Sequence, residues 1–194
     1  KNTGVSTSEA PNDNTLLWSF EVREHVHSSP AVVNGRVYIG SRRVRDVNVV
    51  YCLDENSGEV IWSCGIGGPV ESSPAVVDGK IYIGSLDTRI YCIDARNGEV
   101  IWSHESEQWE YSSQVYSSPA VSDGKVYVGS HDGNVYCLDA ESGELVWKYS
   151  IECYIYSSPA VAEGKVYIAS HEAPGLAGTP YMDTIYCLEA ETGE

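Results

Sequence analysis

The chain has 194 residues, 42% of them hydrophobic and 21% charged, which is long enough to bury a sizeable core. Its 12 basic against 28 acidic side chains leave a formal charge of -16, a surface that repels phosphate backbones and anionic headgroups, so nucleic acid is excluded as a partner class. No apolar run approaches the ~18 residues of a membrane span, and 14 tyrosines stand against 1 phenylalanine among short β-branched runs and Gly-containing turns, which points to an all-β chain.

Residues 1–14, rich in Ser, Thr and Asn, read as a flexible leader outside the fold. Leu16-Leu17-Trp18-Ser19-Phe20 follows as a strand with no complete unit before it. From there the chain repeats itself. Ser-Ser-Pro-Ala-Val begins at Ser28, Ser72, Ser117 and Ser157, and each copy leads into a turn at Asn34-Gly35, Asp78-Gly79, Asp123-Gly124 or Glu163-Gly164. A β-run and then Tyr-Cys-Leu/Ile-Asp/Glu come next, with cysteines at Cys52, Cys92, Cys137 and Cys187. A second turn at Gly58, Gly98, Gly143 or Gly193 leads in the first three copies to Trp62, Trp102 and Trp147.

Asn-Gly or Asp-Gly between alternating apolar runs is a hairpin signal, so each unit holds up to four short strands, named A to D. Units of this kind recurring every roughly 40 to 45 residues stack radially, because each small sheet buries its faces only against its neighbours. The prediction is an all-β propeller of about four blades with four-stranded antiparallel sheets over residues 15–194. The blades are 26–64, 70–104, 115–149, and 155–194 completed by 15–22. Pro30, Pro74, Pro119 and Pro159 cannot donate to a ladder, which places strand A at an edge lining the central channel.

Asp54-Glu-Asn-Ser-Gly-Glu-Val-Ile-Trp62, Asp94-Ala-Arg-Asn-Gly-Glu-Val-Ile-Trp102 and Asp139-Ala-Glu-Ser-Gly-Glu-Leu-Val-Trp147 resemble the tryptophan-docking motif of pyrroloquinoline-quinone-like (PQQ-like) propeller repeats. The resemblance covers nearly the whole chain after Asn14. It implies that Trp62, Trp102 and Trp147 pack between adjacent blades. Members usually have more blades, often eight, so the chain is expected to be a small ring closed by its N-terminal strand, a fragment of a longer propeller, or half of an eight-bladed ring formed by a homodimer. The PQQ-dependent dehydrogenases that the resemblance also brings in carry adjacent cysteines and a calcium site. This sequence has no Cys-Cys pair, so no cofactor and no catalytic activity are expected. The expectation is a binding or scaffold module of the cell surface or a secreted protein, the alternative a fragment of such a dehydrogenase.

Length variation is confined to the B-to-C and D-to-A connections, which share one face, and loops on a rigid scaffold are where binding is carried. All five histidines fall in or near these connections. His27, Glu71, Tyr116 and Tyr156 directly precede the four Ser-Ser-Pro copies and should converge on the channel mouth. With Trp109, Tyr154, Arg43, His131 and His171 they form the candidate site, suited to a protein, peptide or glycan ligand. His131-Asp132 and His171-Glu172 are matching pairs able to bind a transition metal, but their spacing is no compact ligand motif, and no metal is assigned. The repeat cysteines read as buried thiols, and pairing of Cys64 with Cys153 is left open.

Overall fold

The computed structural model describes residues 15–22, 25–42, 48–108, 112–171 and 183–194. Within them the chain is all β, with no helix. Strands β1 (Ala31–Val33), β2 (Arg36–Gly40), β3 (Asn48–Asp54) and β4 (Val60–Ile66) form the first antiparallel meander. The second is β5 (Ala75–Val77), β6 (Lys80–Gly84), β7 (Arg89–Asp94) and β8 (Val100–Glu105). The third comprises β9 (Ala120–Ser122), β10 (Lys125–Gly129), β11 (Asn134–Asp139) and β12 (Leu145–Ser150). The fourth, three-stranded among the described residues, is β13 (Ala160–Ala162), β14 (Lys165–Ala169) and β15 (Ile185–Glu189). These are the four blades of the predicted propeller.

Each A-to-B hairpin is closed by two residues of positive φ, such as Asn34 at 52° and Gly35 at 76°, the geometry that matches the twist of the flanking strands. At the C-to-D turn, one carboxylate oxygen of Asp54 accepts from the backbone N–H of Asn56 and of Ser57, both at 2.9 Å. Asp94 and Asp139 repeat the device. A ladder irregularity follows the cysteine in each complete blade, at Cys52/Leu53, Cys92/Ile93 and Cys137/Leu138.

The blades are joined by tryptophan and tyrosine reaching one carbonyl. Trp62 Nε1 and Tyr38 Oη both donate to the Ala95 carbonyl at 3.2 Å. Trp102 and Tyr82 do the same to Ala140, and Trp147 and Tyr127 to Ala190. Each indole lies over the glycine of the next blade's turn, Gly98, Gly143 or Gly193. Between blades the core is apolar: Val50 and Cys52 of the first pack with Val70, Ile81, Ile83 and Ile93 of the second. The repeat cysteines Cys52, Cys92 and Cys137 have no exposure in these layers. All six cysteines are free, Cys64 and Cys153 included.

The doubled serine has two jobs. The first hydroxyl caps strand B of its own blade, accepting from the N–H of Gly40, Gly84, Gly129 and Ala169 at 2.8 to 3.2 Å. The second stitches blade to blade: Ser29 N–H donates to Ser73 Oγ at 2.9 Å, Ser73 N–H to Ser118 Oγ at 2.8 Å, and Ser118 N–H to Ser158 Oγ at 3.0 Å. The inner strands β1, β5, β9 and β13 thereby enclose a central cavity of about 610 Å³.

Residues 15–22 make no ladder with β15 among the described residues. They lie against the first blade instead, where Trp18 Nε1 donates to the Glu55 carbonyl at 2.9 Å and the indole covers Gly58. This is the contact that strand D of a preceding blade would make.

Candidate functional site

The long connections lie where the repeat places them, between β2 and β3, β8 and β9, and β14 and β15. Isolated bridges His25 to Arg42 and Tyr154 to His171 each tie a D-to-A segment to a B-to-C loop. Further bonds of the same type, Val70 N–H to the Ser41 carbonyl and His131 N–H to the Gln114 carbonyl, hold these segments together along the face.

Five of the candidate residues meet in one cluster between the third and fourth blades. His131, 4% exposed, has ring centroids of Tyr116, Tyr154 and Tyr156 at 4.4, 4.9 and 4.1 Å. Tyr156 also lies 5.4 Å from Tyr116 and 5.7 Å from His171. Burial, with the His171 charge second, holds the His131 imidazole pKa down to about 4. Burial likewise raises the Tyr116 phenol, and the Glu71 carboxylate adds to the rise while Arg42 opposes it. Glu71 thus stands close enough to act on the cluster, paired with Arg42 at 2.5 Å.

His171 is exposed and bonds Asp183 through Nδ1 at 3.1 Å. His27 is set apart, an exposed ring 6.3 Å from His25. Trp109 and Arg43 lie outside the described residues. Sequence reasoning left three neighbours out of the site. Arg42 stands beside the candidate Arg43 in the sequence, and Ser112 and Gln114 carry no signal beyond standing in the longest D-to-A connection. Tyr116 Oη donates to Gln114 Oε1 at 3.0 Å, and Ser112 Oγ sits 3.4 Å from His131 Nδ1.

His131 leads to a second feature of the third blade. Its neighbour Asp132, also buried, accepts from Tyr136 Oη and from the Asn134 N–H at 2.9 Å. Tyr136 Oη in turn accepts from the Glu107 N–H at 2.8 Å, so the buried carboxylate anchors the entry to the long connection. Burial raises the Asp132 pKa, which its hydrogen bonds partly offset. Blade two repeats the pair as Tyr91 and Asp87, at 2.6 Å.

The described residues do not fit a quinone and calcium site of the kind the resemblance brings in. The cysteines are isolated in sequence and free. Among the described residues no three His, Cys, Asp or Glu side chains gather to hold a metal ion.

Comparison with known proteins agrees with the architecture. The family model described as outer membrane protein assembly factor BamB matches twice, over residues 2–118 and 87–194. No curated protein sequence matches the chain. Among solved structures, BamB from Moraxella catarrhalis superposes with a TM-score of 0.68 at 17% identity, covering 92% of this chain and 49% of that one. The quinohemoprotein alcohol dehydrogenase from Comamonas testosteroni gives 0.74 at 21% identity over 88% of this chain and 34% of its own. The computationally designed Ika4 protein gives 0.66 at 16% identity, over 90% of this chain and 98% of its own. The chain therefore spans about half the length of the Moraxella protein and nearly all of the designed one.

Proposed function

Since the chain belongs to the PQQ-like repeat family whose model is named for the outer membrane protein assembly factor BamB, we propose that it is a noncatalytic binding or scaffold module that holds a partner on its loop face. The observation that carries this reading is the gathering of Tyr116, Tyr154, Tyr156, His131 and His171 from separate connections of two blades. Packing of the blades does not need them there, since the Trp and Tyr pairs and the apolar layers already join the sheets. The family name supports a place outside the cytoplasm, in the cell envelope or at the cell surface. The partner is a protein, peptide or glycan; closing of the ring by residues 15–22 belongs to the same proposal, and a homodimer that forms an eight-bladed ring is its alternative. Among the described residues no helix is long and apolar enough to cross a membrane.

A peptide and glycan array probed with the protein tests the reading. Replacing the half-buried Tyr116 and the exposed Tyr156 with Ala should cost binding at least about tenfold, the loss expected for aromatic anchors, while changes in the opposite Asp123-Gly124 turn leave binding intact. Hits that survive the double replacement would move the site elsewhere. Stoichiometric uptake of quinone with calcium would instead favour the dehydrogenase fragment.

A further inference from the structure

Among the described residues His131 carries the buried side-chain polar atom that lacks a hydrogen bond, its Nε2. Buried polar groups are nearly always paired, so such an atom calls for an explanation. One arrangement of the surrounding bonds leaves this nitrogen without a proton. Ser112 Oγ donates to Gln114 Oε1 at 3.3 Å, and a hydroxyl has one proton to give. At its 3.4 Å contact with His131 Nδ1 the serine therefore accepts. In that arrangement the imidazole proton sits on Nδ1, and Nε2 is a bare lone pair.

That lone pair is walled by aromatic rings. Tyr154 stacks on His131 at an interplanar angle of 25°, Tyr116 lies at 31°, and Tyr156 meets it edge-on at 75°. Tyr154 is buried, but Tyr156 is 48% exposed, so it is the ring able to swing aside without unpacking a blade. The paired charges of Arg42 and Glu71 act on the phenol of Tyr116.

We propose that this cluster is a carbohydrate subsite, in which a sugar hydroxyl donates to His131 Nε2, the C–H face of the sugar lies on Tyr116 and Tyr156, and Arg42 with Glu71 hydrogen-bonds neighbouring hydroxyls. The proposal rests on the loop-face reading above and names its ligand chemistry. A cation is the competing occupant, since aromatic rings attract one. Yet the enclosure that holds the imidazole neutral down to about pH 4 penalises positive charge at the same spot. A hydroxyl supplies the missing donor without charge, and flat aromatic faces beside a few placed polar groups are what a sugar ring needs.

Imidazole nitrogen NMR tests it, using free glucose, galactose, mannose and N-acetylglucosamine as probes. At least one should move the His131 Nε2 resonance toward the hydrogen-bonded position. His131→Phe, which keeps the ring and removes the acceptor, should weaken that sugar about tenfold. Tyr156→Ala should do the same and, on an exposed ring, leaves the fold intact. A resonance unmoved by every sugar overturns the proposal, as does a sugar affinity in both variants equal to the parent's. So does an Nε2 already hydrogen-bonded in the free protein and unaffected by sugar, because a trapped water then satisfies it. Peptide binding that survives His131→Phe, with no sugar shift, overturns the subsite while sustaining the loop face as a binding surface. A sugar shift in the parent, with sugar affinity weakened in His131→Phe, supports the subsite even alongside a blank peptide array.

Discussion

Burial acts on single groups in opposite directions here. It pushes the Cys92 and Cys137 thiols up to about 12, so they stay protonated and inert between the blades. It pushes the His131 imidazole down from 6.5 to about 4. Because the folded pKa of His131 lies below the unfolded one, its contribution is complete above about pH 6.5 and is lost as pH falls toward 4, by up to about 3 kcal/mol. Asp132 runs the other way: its folded pKa is raised by burial, so acid relieves the cost of an enclosed carboxylate. Asp54 and Asp139 are lowered by backbone N–H donors at their turns, and what they contribute is lost only below the usual carboxylate range. The expected outcome is a melting temperature that falls between pH 6.5 and 4 in the parent and falls less in His131→Phe. Parallel curves would count against a buried neutral imidazole.

At the scale of the strand and turn, the docking motif makes a prediction that separates conformational strain from packing. Gly124 and Gly143 have φ of 71° and 74°. A Cβ on Gly124 would meet nothing within 4 Å, whereas one on Gly143 would come within 2.5 Å of the Trp102 ring. Gly124→Ala should therefore cost only the left-handed penalty of about 1–2 kcal/mol. Gly143→Ala should cost about 1–3 kcal/mol more, because the indole must shift. Urea unfolding midpoints of the two variants measure the difference. Equal losses would mean that the indole does not dock on its glycine. The resemblance to the tryptophan-docking motif implied that the indole packs between blades, but not which glycine it covers. The doubled serine was legible as a repeat but not as a device, since hydroxyls that bridge blades more than forty residues apart leave no local pattern.

For the whole molecule, stability depends on each blade finding a neighbour. Tyr38, Tyr82 and Tyr127 are 3%, 2% and 1% exposed, but the equivalent Tyr167 of the fourth blade is 39% exposed. The corresponding face of the first blade holds an apolar groove of about 570 Å³ where Val26, Val37, Ile39 and Leu53 lie beside Trp18 and Phe20. Deleting residues 1–22 would strip both aromatic rings from this face, including the Phe20 edge contact to Tyr51 at 5.3 Å. A large fall in melting temperature and aggregation through the bared sheet face should follow. Trp18→Ala should cost less than Trp147→Ala, whose buried indole is worth about 3–5 kcal/mol. A truncated chain as stable and monomeric as the parent would show that residues 15–22 contribute nothing to the fold.

The sequence by itself determined the blade count, the strand order and the hairpin turns. All of these follow from contacts that recur at one spacing, and turn chemistry with period-two burial is a local property of the chain. It also placed the variable loops on one face. Only the tertiary structure decided which loop residues meet. His131 is enclosed by Tyr116 from the connection before its own blade and by Tyr154 and Tyr156 from the one after, while His27, in the repeat position equivalent to Tyr116, stands with His25 instead. Those meetings depend on the angle between neighbouring sheets and on the paths of unequal loops. Neither is written in any local pattern of residues, because both are set by how whole blades pack.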